Sequence, residues 1–279
     1  MIIDFHTHVL SPQIKNNRSH YVDKDPGFAL IYSDDKARIA TTDELIDSMD
    51  RDGVDISVIV NYGWNTHELC VETNDYILES VARYPERLIG FCSIQLDTGD
   101  AALAEIERCA GVGVKGVGEL RPDTQSLDFT SREAMAPLVE VLRKYRLILM
   151  IHASEPVGHI YPGKGSATPD MLYPFMANFP DLPIVCAHWG GGLPFYTLMP
   201  EVREALENVY FDTAASPFLY HPEIYRQVSQ LVGTEKILFG SDYPLMPPSR
   251  LLGEIESIQL SSESRNMILS GNARRLLGI

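Results

Sequence analysis

Short apolar runs recur along the whole chain, and each is followed by a stretch with helical spacing. Ile2-Ile3, Ile56–Val60, Leu88–Ile94, Val114–Gly118, Leu147–Ile151, Leu182–Ala187, Asn208–Phe211 and Lys236–Gly240 read as strands. Their apolar character is nearly continuous, which burial on both faces of a parallel sheet demands. Between them lie helical segments with start and stop signals. Thr41-Thr42-Asp43-Glu44 opens one, Leu45, Ile46 and Met49 give its apolar face, and Gly53 ends it. Others span Thr66–Tyr84, Ala101–Ala110, Ser131 to about Tyr145, Met171–Phe179, Leu193–Leu206, Pro222–Leu231, Leu251–Ile258 and Ser262–Leu276. Residues 9–41 and 154–168 carry proline, glycine and polar residues and read as long connections on the substrate side. Eight strand–helix units in 279 residues predict a single-domain α/β protein over 1–279, a closed (β/α)8 TIM barrel.

Composition narrows the partners. The hydrophobic share of 45% and charged share of 22% are those of a soluble globular chain. A net charge of −15 repels phosphate backbones and anionic bilayers, so neither nucleic acid nor a membrane is expected. A small anionic substrate remains open, because a local cation overrides the global field. No apolar run has the length of a membrane span, and no basic, then apolar, leader precedes the first strand. Cys70, Cys92, Cys109 and Cys186 form no CxxC pair and are expected as buried thiols in a reducing cytoplasm.

The chemistry collects at strand ends. His6 and His8 close the first strand, and the period of two puts both imidazoles on one side. Glu119 follows the fourth strand, His152 the fifth, His188 the sixth, Asp212 the seventh and Asp242 the eighth. In a parallel barrel these ends open on one face, so the groups converge. Imidazole nitrogens and carboxylate oxygens suit zinc and similar divalent ions, and three or four of them with an open position describe a catalytic site. Arg121 suits a substrate carboxylate through its planar fork. Trp189 either packs in the pocket wall or lies against the substrate. His159 either reaches the pocket from its long loop or stays in water. Gly190-Gly191-Gly192 lacks the Lys-Ser/Thr of a phosphate loop and reads as a tight strand-to-helix turn. Asp4 is a supporting or strand-end residue. Asp212 holds a histidine from behind or caps its turn.

Asp4-Phe5-His6-Thr7-His8, Ile151-His152-Ala153, Cys186–Gly192, Phe239–Pro244 and Gly271–Leu277, in that order, resemble the amidohydrolase superfamily, in particular its amidohydrolase-2 branch of metal-dependent hydrolases and decarboxylases. The resemblance covers essentially the whole chain. It implies one divalent metal, usually zinc, held by His6, His8, His152 and Asp242 with a bound water. Asp242 would take the water's proton, and His188 would polarise a carbonyl or move a proton. Binuclear members of the superfamily carry a bridging carboxylate at the end of strand four, and Glu119 stands at that place; the resemblance leaves open either that role with a second metal or the mononuclear site more common in this branch. Homodimers are common among such barrels.

Three functions follow as expectations. The leading one is a hydrolase acting on an amide, ester or lactone carbonyl. The alternative is a non-oxidative decarboxylase of a small aromatic or enol carboxylic acid, with Asp242 or His188 protonating the carbon that loses carbon dioxide. The third is a non-catalytic zinc-binding barrel, which predicts a closed ligand shell and no use for His188.

Overall fold

Eight strands form, in a computed structural model that describes residues 1–279. They are β1 Ile3–Thr7, β2 Ile56–Ile59, β3 Leu88–Cys92, β4 Gly116–Leu120, β5 Ile148–Ile151, β6 Ile184–Cys186, β7 Val209–Asp212 and β8 Ile237–Leu238. All neighbours pair in parallel and the spatial order is the chain order. Main-chain bonds return the eighth strand to the first: Phe5 N donates to Phe239 O at 2.7 Å, Asp242 N to His6 O at 2.9 Å, and His8 N to Tyr243 O at 2.7 Å. The (β/α)8 barrel and its single-domain architecture are therefore as expected.

Two apolar layers hold it. Phe5 of β1 meets Phe91 of β3 edge-on at 5.8 Å across a strand that separates them, which puts both rings inside the barrel. Val58, Val60, Met150, Val185 and Leu238 complete that inner layer. The outward faces, such as Val117, Leu149, Cys186 and Phe211, pack on the helices through residues including Ile106, Leu138, Leu172 and Tyr225. The four cysteines are buried and free. No helix is long and apolar enough to cross a membrane.

Three local departures from the expected elements bear on the site. First, residues 9–41 are not a structureless loop: helices Pro12–Asn16, Arg18–Lys24 and Pro26–Tyr32 occupy it. Ser11 and Asp25 accept from the backbone of Ile14 and Phe28, and Pro12 and Pro26 sit in the first turn, where a missing N–H costs nothing. Read as breakers, these prolines are starters. Tyr21, Phe28 and Tyr32 from this segment pack on Trp64 and Leu69. Second, β4 runs two residues past the expected end, so Glu119 lies within the strand. Third, the expected helix 193–206 splits at Tyr196 and resumes at Pro200.

Register shifts occur in two of the strands that carry the site. The β1–β2 pairing slips between Asp4 and Thr7, and the β4–β5 pairing slips between Val117 and Leu120. Such a bulge re-aims a side chain without ending the strand. Gly118 makes the second one feasible: its φ is 138°, and a Cβ there would lie 2.3 Å from Met150 O.

Candidate active site

The strand-end residues meet at the C-terminal mouth. His6 Nε2 and His8 Nε2 are 3.0 Å apart. Asp242 Oδ1 is 3.6 Å from the first and 3.3 Å from the second. Glu119 Oε2 is 3.5 and 3.6 Å from the same two atoms. On its other side, Glu119 Oε1 is 2.9 Å from His152 Nδ1 and 3.5 Å from His188 Nε2. Glu119 thus joins two overlapping donor groups, His6/His8/Glu119 and Glu119/His152/His188. His152 reaches the first two imidazoles only through it. His6, His8, Glu119, His152 and His188 are all buried.

The imidazoles are held from behind. His6 Nδ1 lies 2.8 Å from Asp212 Oδ2, His8 Nδ1 3.1 Å from Val60 O, and His188 Nδ1 3.2 Å from Ala214 O. An acceptor at each Nδ1 places a proton there and leaves Nε2 as the inward-facing atom. Asp212 does both things considered for it. Its Oδ1 also accepts from His188 N at 2.8 Å and Ala214 N at 3.0 Å, bracing the turn after β6 and capping its own turn after β7. That turn is left-handed from His188 to Gly192, with φ of 55° at His188 and 57° at Trp189. Glycine is required at its inner corner, where a Cβ on Gly191 would sit 2.3 Å from Ser154 O. Asp4 accepts from Ser241 N at 2.9 Å and His6 N at 3.2 Å, tying β1 to the segment that carries Asp242. Burial pushes the Asp4 carboxyl up to about 7.

The charges balance one another. Burial disfavours every ion here, yet the His6 imidazole is held well above its ordinary value by Asp212 and Glu119. His188 is raised to about 9 against its burial, by its hydrogen bond to Glu119 and the nearby Asp242 charge. Conversely, burial of Asp242 is outweighed by His8, His6 and His188, and burial of Glu119 by His6 and His152. Both carboxyls stay well below the usual range. His152 is lowered, by burial and by the Arg121 charge.

A divalent cation fits this set. With protons on both Nδ1 atoms, the His6 and His8 lone pairs face each other at 3.0 Å, which is repulsive unless a proton or cation lies between. A tetrahedral shell with bonds of about 2.0–2.1 Å has donor–donor edges of about 3.3–3.4 Å. His6 and His8 lie 3.0 Å from each other and 3.3–3.6 Å from the nearer oxygens of Asp242 and Glu119, distances that bracket that value.

The outer residues divide. Arg121 is 4% exposed, and its Nη2 donates to Gly163 O at 2.8 Å and lies 3.4 Å from Asp123 Oδ2. Its Nε has no partner. Trp189 belongs to the wall: it is fully buried, donates to Ser216 Oγ and meets Tyr225 edge-on at 5.0 Å. A role for it in substrate contact is therefore corrected. His159 is likewise corrected, because it is exposed and its ring lies against Tyr161. Sequence reading passed over Tyr62, which stacks on His8 at 4.5 Å and 20°, its hydroxyl bonded to that of Tyr32. A tyrosine two residues past the end of an apolar strand is the only signal that pointed to it.

A closed parallel barrel with imidazoles and carboxylates gathered at its C-terminal mouth defines a metal-dependent barrel enzyme. The family model described as amidohydrolase matches residues 3–279, so the chain belongs to the amidohydrolase family, in its second branch. Among its relatives, 2-amino-3-carboxymuconate-6-semialdehyde decarboxylase of Dictyostelium discoideum is 25% identical, over 85% of this chain and 76% of that protein. Gamma-resorcylate decarboxylase of a Polaromonas species is 23% identical, over 75% and 76%. The fold matches 5-carboxyvanillate decarboxylase from Sphingomonas paucimobilis with a TM-score of 0.79 at 21% identity, covering 100% and 99% of the two chains. It also matches a dihydroxybenzoic acid decarboxylase from Polaromonas with bound manganese and 2-nitroresorcinol, with a TM-score of 0.74 at 19% identity over 99% and 96%.

These relatives overturn the hydrolase expectation: they are decarboxylases, and the alternative drawn from the sequence is the one they favour. The donor set suits a divalent metal without singling out zinc, and one of the matched structures carries manganese.

Proposed function

We propose that this chain is a non-oxidative decarboxylase of a small aromatic or enol carboxylic acid, dependent on one divalent cation. The observation that carries the reading is buried Arg121, its Nε unpartnered and its charge felt at His152, beside a four-donor cation site in a chain whose relatives are decarboxylases. His6, His8, Asp242 and Glu119 would hold the cation, with His152 on the far oxygen of Glu119. When bound, the cation supplies Lewis-acid charge that anchors the acid's oxygens and stabilises developing negative charge. Two imidazoles and two carboxylates are compatible with zinc and manganese alike, and metal analysis of the purified protein separates them.

Arg121 pairs with the substrate carboxylate through its planar fork. Tyr62, lying on His8, gives the pocket a flat aromatic wall beside the donor atoms. His188, with Nδ1 committed to Ala214 O, presents Nε2 to the site and donates its proton to the carbon that bears the carboxylate. The carbon–carbon bond then breaks, its electron pair remains on that carbon as the new C–H is completed, and carbon dioxide leaves. His188 regains a proton from solvent. The four-donor cluster borders an arginine and a proton donor, which a non-catalytic zinc barrel does not need.

The test is carbon dioxide release from a panel of hydroxybenzoic and related enol acids, with metal-loaded and chelator-stripped protein. His188→Asn should retain its metal and lose about 10²–10⁴ in turnover. Turnover near the native rate in that variant refutes the proton-donor role, and undiminished release by the stripped protein refutes the metal dependence.

A further inference from the structure

The three residues that follow β2 touch the donor cluster from behind at three points. Val60 O accepts from His8 Nδ1 at 3.1 Å, and the Tyr62 ring lies on the His8 ring. Between them, the Asn61 backbone binds both polar groups of one peptide unit in β4: Asn61 N donates to Gly118 O at 2.9 Å, and Glu119 N donates to Asn61 O at 2.7 Å. This contact reaches over the end of β3, the strand that otherwise separates β2 from β4. The backbone of Asn61 is therefore a direct support for the residue joining the two halves of the site.

The Asn61 side chain is immobilised. It is 2% exposed and all four of its hydrogen-bonding positions are taken. Nδ2 donates to Thr73 Oγ1 and Asn74 Oδ1, both at 2.8 Å, while Oδ1 accepts from Tyr62 N at 2.8 Å and Trp64 Nε1 at 3.2 Å. Asn74 continues inward to outward, donating to Ser93 O at 2.9 Å and Glu105 Oε1 at 2.7 Å. Arg108 closes the chain with two bonds of 2.7 Å to Glu105. A buried amide with every position satisfied accepts one rotamer only, and the backbone it carries inherits that rigidity.

We infer that Asn61 is a positioning residue: it sets the Glu119 carboxylate and the His8 ring at the separation a divalent cation requires. The inference rests on the reading of His6, His8, Asp242 and Glu119 as the cation site. Aspartate at this position keeps the acceptor and loses both donors. Serine shortens the side chain and frees the backbone. Both should weaken cation binding by about 10–100-fold, the range for supports behind metal ligands, and should change the visible absorption of the cobalt-substituted protein. Glu105→Gln disturbs the same network at its far end and should lower the unfolding temperature while leaving cation affinity and the cobalt spectrum unchanged.

The experiment measures Co2+ and Mn2+ affinity by chelator competition, with the cobalt spectrum, for wild type, Asn61→Asp, Asn61→Ser and Glu105→Gln. A weakened Asn61 pair beside an unaltered Glu105→Gln supports the inference. Native affinity and spectrum in a folded Asn61 variant overturn it, as does an equal loss in Glu105→Gln, which would make the effect one of general stability. Failure of the wild type itself to bind either ion overturns the cation-site reading and the inference with it. Should one Asn61 variant not fold, the other decides.

Discussion

Replacing Asp212 by asparagine tests the site at its most economical point, since one atom changes and nothing moves. Asp212 is fully buried and divides its two oxygens between two tasks. Oδ1 accepts from His188 N and Ala214 N, and the asparagine carbonyl oxygen continues to do this. The new NH2 group then faces His6 Nδ1 across 2.8 Å, where a carboxylate oxygen stood. Two donors cannot share that distance, so the His6 proton moves to Nε2, the atom that faces His8 and the proposed cation site. The variant therefore keeps its turn and loses a ligand tautomer. Supports of this kind are worth about 10–100-fold in metal affinity, or about 1.4–2.7 kcal/mol. The lost bond from His6 to a charged acceptor removes a further ~1.5–3 kcal/mol of folding stability. Chelator competition reads the first and thermal unfolding of the metal-free protein the second. Affinity within twofold of wild type would refute the claim that Asp212 sets the His6 tautomer.

Three further outcomes are expected. Trp189→Phe removes the bond to Ser216 and part of the packing on Tyr225, so unfolding should cost about 1–2 kcal/mol less. KM for the carboxylic acid substrate should not move, and a large rise in KM would return Trp189 to the substrate. The Glu105 carboxyl, though burial opposes it, is held below its ordinary value by Arg108 and Asn74, so it stabilises the fold above the ordinary glutamate range and loses that contribution as pH falls through its folded value. Glu105→Gln should accordingly be destabilising at pH 7 and progressively less so as pH falls below the ordinary glutamate range, as read by unfolding temperature; a loss that does not diminish with falling pH would refute the charge argument. Arg121→Lys should raise KM for the acid by at least tenfold with metal content unchanged, because a point charge cannot reproduce the planar fork; unchanged KM would remove Arg121 from carboxylate recognition.

Much of this was legible because periodicity and strand ends carry it. The runs ending in His6-Thr7-His8, His152 and His188 gave both the barrel and the residues at its mouth, since parallel strands in a closed barrel all open on one face. The segment 9–41 was misread because a capped proline starts a helix and an uncapped one breaks it, and the side-chain bonds of Ser11 and Asp25 decide which. Trp189 and His159 were open in the sequence for a related reason. One follows a strand and one lies in a loop, and neither fact says which way the side chain points.

By itself the chain determined the number and order of its strands, and that imidazoles and carboxylates would gather at one end. These follow from local patterns of period two and 3.6, which need no partner to be read. Tertiary structure alone decided that Glu119, not His152, stands against the His6–His8 pair, that Asp212 fixes a tautomer, and that Asn61 braces Glu119 from across β3. The physical reason is the slip in register after Val117. A shift of one residue reverses the face of a side chain; Gly118 permits it, but only the packing of the neighbouring strand, with Met150 O against Gly118, decides that it happens there.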